Sequence, residues 1–78
     1  MYRYTVRCSS LGDIMRFVSL STKLGFPITV GTESYHVNGN SFMGMFTLNW
    51  SKSQTVTLRC TEEENARFLQ EAARFLTE

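Results

Sequence analysis

The chain is poor in the residues that build covalent or metal-bound frameworks. Of its 78 residues only two are cysteine, one is histidine and one is proline. Cys8 and Cys60 are too few for a disulfide framework. One histidine and two distant cysteines do not supply the close donors of a four-ligand zinc site. No metal or cofactor is expected, and both cysteines read as core or sheet-end residues. Charge of one sign is also scarce. The formal net charge is +1, which leaves no electrostatic footprint for nucleic acid. No apolar run reaches membrane-spanning length. Met1-Tyr2-Arg3-Tyr4 has no apolar stretch behind its charge, so no signal peptide is expected and the cytoplasm is the default compartment. Internal repeats, linkers and low-complexity stretches are missing as well.

What is present suits one small fold over residues 1–78. The apolar fraction is 42% and the aromatic fraction 13%. A chain of this length buries only roughly 60% of the surface its unfolded form exposes. Tyr2, Tyr4, Val6 and Cys8 alternate with Arg3, Thr5 and Arg7, the pattern of a half-buried strand. Ser10-Leu11-Gly12-Asp13 fits a capping box before an apolar run. Ile14, Phe17, Val18, Ser21 and Leu24 then recur at helical spacing. Gly25 and Pro27 end that helix. Ile28 and Val30 are the inward residues of a second strand. Gly31 to Ser34 forms a turn. Tyr35 and Val37 face inward on a third strand, which puts His36 on the solvent side. Asn49 to Ser53 is a loop. Thr55 to Cys60 alternates again, with Val56, Leu58 and Cys60 inward. Thr61-Glu62-Glu63-Glu64 is a capping box. The helix after it is expected to bury Phe68, Leu69, Ala72, Phe75 and Leu76.

The stretch from Asn38 to Leu48 organises the rest. Ser41 stands where a helix N-cap would stand, directly before Phe42. Phe42, Met43, Met45 and Phe46 then crowd four large side chains into five positions. A short helix covers a sheet with one stripe only. Phe42 and Met43, on the first turn, are expected to be exposed. Met45 or Phe46 can turn to the core. All four are candidate partner-contact residues.

The order is β-α-β-β-α-β-α. Its amphipathic strands make an antiparallel sheet with one face covered by helices and one face in water, an α+β architecture. Asn40-Ser41-Phe42-Met43-Gly44-Met45-Phe46-Thr47-Leu48 resembles the regulatory-serine segment of HPr, the phosphocarrier of the bacterial sugar phosphotransferase system. That segment typically reads Lys-Ser-(apolar)-Met-Gly-(apolar)-(apolar)-(Ser/Thr)-Leu. Gln54-Thr55-Val56-Thr57-Leu58-Arg59, followed by a C-terminal helix, is also similar. The resemblance runs from about Phe17 to the end. It implies an HPr-like open-faced β-sandwich, a four-stranded sheet in the order 1-4-2-3 with three helices on one face.

The resemblance further implies a phosphoryl-carrying histidine in the first loop, within Gly-(apolar)-His-(Ala/Thr)-Arg-Pro-Ala. This chain has Cys8-Ser9-Ser10-Leu11-Gly12-Asp13-Ile14 in that place. It holds no His, Arg or Pro, and Asp13 repels phosphate. Ser9, Ser10, Gly12 and Asp13 therefore read as a degenerate carrier loop. Arg16 sits a turn too far along to replace the missing arginine. Ser41 matches the regulatory serine, with Asn40 where the family often has Lys. A phosphate there would sit at a helix start and change which partner accepts the Met/Phe surface. The bland alternative is an ordinary N-cap serine.

The expected function is an HPr-like regulatory or protein-binding module of the phosphotransferase system. It would be without enzymatic activity of its own. It docks a phosphotransferase-system or regulatory protein through the Ser41 helix. The alternative is a carrier using Cys8, Ser9 or Ser10 as a non-standard acceptor, although none has a candidate base nearby in sequence. If the first strand pairs with the fourth, Cys8 lies beside about Thr55 and Cys60 beside about Tyr2. They are then about 20 Å apart, too far for a disulfide.

Overall fold

A computed structural model describes residues 1–77. Among them the chain runs β1 (Tyr2–Val6), α1 (Leu11–Leu24), β2 (Ile28–Gly31), β3 (His36–Asn38), α2 (Phe42–Phe46), β4 (Gln54–Leu58) and α3 (Glu62–Glu71). A 3-10 turn (Ala73–Phe75) and β5 (Leu76–Thr77) close it. Every strand pair is antiparallel. The spatial order is β3-β2-β4-β1-β5, the expected 1-4-2-3 arrangement read from the other edge with one strand added.

Local signals explain the ends of the elements. Ser10 caps α1, its Oγ accepting from the Asp13 N–H at 3.2 Å. The return bond of the box is displaced by one residue, because Asp13 accepts from the Ser9 N–H at 3.0 Å rather than from that of Ser10. Gly25 ends the helix in the left-handed region, with φ 80. Thr61 and Glu64 form both bonds of a reciprocal capping box at α3.

The three helices cover one sheet face. Val6, Ile28, Val30, Val56 and Leu58 from the strands meet Ile14, Phe17, Leu20 and Leu24 of α1, Met45 of α2 and Phe68 of α3. Phe17 lies edge-on to Phe68 and Phe75, with ring centroids 6.4 and 5.4 Å apart. Tyr4 stacks over Phe68 and donates its hydroxyl to Asn65 at 2.7 Å, so its polar end is satisfied as its ring is covered.

Four expectations need correction. The last helix stops at Glu71 instead of continuing through Leu76. The chain turns so that Leu76 and Thr77 can pair with Val6 and Thr5 and cover the open edge of β1. Tyr35 is exposed, not inward. Its hydroxyl bonds the Thr47 hydroxyl at 2.7 Å on the surface. Leu20, absent from the expected stripe, is buried, and Val18 is only half-buried. The register of β1 against β4 places Thr5, not Cys8, opposite Thr55, and Leu58, not Cys60, opposite Tyr2. Both cysteines fall just past the paired residues, at opposite ends, and both are free.

Candidate functional site

The chain enters α2 through a turn in which the Ser41 N–H donates to the Asn38 carbonyl at 3.0 Å. Ser41 is extended (φ −101, ψ 109), and its Oγ accepts from the Gly44 N–H at 3.1 Å. It is therefore the N-cap of α2. Gly44 lets the helix lie close on β3: a Cβ there would come within 2.9 Å of the Val37 Cβ. That close approach sets which side chains point inward.

Met45 points into the core and is fully buried. Its expected place on the contact surface is thus corrected, because α2 has a single covered stripe and Met45 occupies it. Its carbonyl is held by the Trp50 indole N–H at 2.9 Å. The other three side chains face out: Phe42 is 37% exposed, Met43 69% and Phe46 56%. Phe42 and Phe46, four residues apart, stack with centroids 6.0 Å apart. Leu11 and Met15 of α1, which packs against α2, are exposed as well. Sequence reasoning missed both. The signal was present, since they recur at i and i+4 beside, not within, the Ile14-Phe17-Ser21-Leu24 stripe.

The first loop lies at the start of α1. Ser9 and Ser10 are exposed; Gly12 and Asp13 are half-buried. The Ser10 hydroxyl serves as the cap. The Asp13 carboxylate accepts from the Ser9 N–H and lies 3.5 Å from the Arg16 guanidinium and 3.4 Å from that of Arg74. The fold thus brings Arg74, unforeseen from sequence, to a place where Arg16 already stands. A carboxylate fills the helix start that an incoming anion would need. Cys8 is buried beside it. Desolvation, reinforced by Asp13, pushes its thiol up to about 12, which removes the thiolate that nucleophilic attack requires. His36 is exposed on the other, open face of the sheet, on β3. Among the described residues no cluster of metal-ligating side chains forms, and no helix is long and apolar enough to cross a membrane.

This architecture is that of a small open-faced β-sandwich, an antiparallel sheet with helices packed on one face. The family model for the PTS HPr component phosphorylation site matches residues 12–78, and the chain belongs to the HPr family of the phosphotransferase system. The matched span begins at Gly12, after β1 and the residues Cys8 to Leu11. Among solved structures the chain is similar to HPr-C-His from Thermoanaerobacter tengcongensis, with 21% identity and a TM-score of 0.71 over 94% of this chain and 92% of that one. No match is found among curated proteins.

Proposed function

We propose that this chain is a regulatory, protein-binding HPr-family module of the phosphoenolpyruvate-dependent sugar phosphotransferase system, working as one domain in the cytoplasm. It docks a phosphotransferase-system or regulatory protein through the Ser41 helix and does not relay phosphoryl groups. The observation that carries this reading is the contrast between two helix starts. At α1 the place for a phosphoryl group holds Asp13, and the nearby Cys8 and Ser10 are respectively a buried protonated thiol and an engaged cap. At α2 a half-buried cap serine stands beside exposed Phe42, Met43 and Phe46. Phosphate on Ser41 would add oxygens that accept from the N–H groups of the first turn, that of Gly44 among them, and would place about two negative charges against an apolar patch.

The test is intact-mass measurement after two incubations. With phosphoenolpyruvate and enzyme I, no phosphoryl group is expected on the wild-type chain. With a family serine kinase and ATP, one is expected, and it should vanish in Ser41→Ala. Acid-labile phosphate transferred from enzyme I would replace this reading with the carrier reading.

A further inference from the structure

The open face of the sheet carries a hollow of about 490 Å³, lined by Arg3, Thr29, Gly31, His36, Thr57 and Arg59 among others. The strand register explains its shape. Arg3, Thr57, Thr29 and Asn38 form one row across β1, β4, β2 and β3; Thr5, Thr55, Gly31 and His36 form the next. Gly31 puts no side chain in the second row between Thr55 and His36. It has φ 138, and the direction a Cβ would take is already occupied by the β2–β3 turn: it would strike the Tyr35 carbonyl and come within 2.8 Å of the His36 Cα. Only glycine fits there, so no side chain from this position covers the neighbouring hollow.

Two guanidinium groups overlook this hollow. Arg59 follows β4 directly and extends its pairing, its N–H donating to the Pro27 carbonyl at 3.1 Å. It lies two residues along from Thr57, the cross-strand partner of Arg3. Arg3 and Arg59 are thus diagonal neighbours, about 7–8 Å apart across the strand pair. Among the described residues neither has a carboxylate partner. The carboxylate on the rim, Glu33, pairs with neither. Two like charges at this spacing repel unless something negative comes between them. Hydroxyls of Thr29, Thr55 and Thr57 and the His36 imidazole complete a surface of hydrogen-bond donors.

We propose that this hollow binds a small phosphorylated dianion, held between the Arg3 and Arg59 guanidiniums and hydrogen-bonded by the threonine hydroxyls. A dianion suits the site better than a single carboxylate, because each planar guanidinium can take one anionic group in a forked contact. The site is local, so it is compatible with a net charge too small for polyanion binding. It lies on the sheet face opposite α1 and α2 and does not depend on the function proposed for them.

The test is a titration with inorganic pyrophosphate at constant ionic strength, followed by backbone amide NMR. Saturable shifts at Arg3, Thr29, Gly31, Thr57 and Arg59 are expected. Arg3→Gln and Arg59→Gln should each weaken the affinity about tenfold or more, with amide spectra elsewhere unchanged as evidence of folding. Shifts that never saturate, shifts confined to the starts of α1 or α2, or equal binding by the double variant would overturn the proposal.

Discussion

The Asp13 carboxylate lies 3.4 Å from the Arg74 guanidinium, 61 residues further along the chain. This contact joins the first turn of α1 to the 3-10 turn that delivers β5 to the sheet edge. Arg74 is largely exposed and Asp13 is not, so the ion pair itself adds little, about 0–1 kcal/mol. The larger contribution is the bond from the Ser9 N–H and the placement of negative charge at the helix start, about 1 kcal/mol. Urea denaturation should therefore find Asp13→Ala destabilised by about 1–2 kcal/mol. Arg74→Ala should cost less than half as much. Equal losses would show that the ion pair dominates.

The cysteines give a pH prediction. The Cys8 thiol is raised from 9.0 to about 12 in the folded chain. The native state keeps that proton where the unfolded chain gives it up. This contribution is complete below about pH 9 and is lost as pH rises toward about 12. Wild type should exceed Cys8→Ala in stability at neutral pH, and the gap should narrow steadily above pH 9. A constant gap would mean that the thiol titrates normally. In native protein at pH 8, a thiol reagent should find two thiols, with the half-buried Cys60 reacting before Cys8.

Much of this fold was legible because local chemistry and burial agree. The alternation of Tyr2, Tyr4, Val6 and Cys8, the Ser10 and Thr61 caps and the Gly25 stop each state an element in a few residues. Leu11 and Met15 had a local signal; most of the other missed features depend on partners distant in sequence. Phe68, Ala72, Phe75 and Leu76 have helical spacing, and only the vacant edge of β1 draws Leu76 and Thr77 into a strand. Tyr35 alternates correctly but finds its partner in Thr47, not in the core. Arg74 could not be placed beside Asp13 without knowing that the chain end returns to β1. The same holds for the Arg3–Arg59 hollow, which needs the β1–β4 register.

Gly44 should be intolerant of substitution. Gly44→Ala brings a methyl group within 2.9 Å of the Val37 Cβ and 3.1 Å of the Ser41 Oγ. Alanine favours the helix intrinsically, by about 1 kcal/mol over glycine. The clash with the β3 side chain should outweigh that gain and leave a net loss of about 1–2 kcal/mol. Thermal unfolding decides the sign, and a stabilised variant would show that α2 can lift from β3 freely.

The exposed face of α2 should separate binding from folding. Met45 is fully buried in the core cluster, so Met45→Ala should cost about 2–5 kcal/mol as a core truncation. Phe42, Met43 and Phe46 lie on the same five-residue helix but face out. Phe42→Ala also ends the stacked pair with Phe46, worth about 0.5–1.5 kcal/mol beyond area. Met43→Ala loses almost nothing from the fold. The Phe42→Ala/Met43→Ala variant should therefore stay folded, with a stability loss below that of Met45→Ala alone. Its binding should fall much further. A few side chains near the centre of a contact carry most of its affinity, about 2 kcal/mol or more for each such hot spot. Titration against purified phosphotransferase-system proteins, wild type beside variant, reads this directly. A variant that binds the wild-type chain's partner unchanged would move the docking surface away from α2. A variant that unfolds like Met45→Ala would make Phe42 and Met43 structural residues.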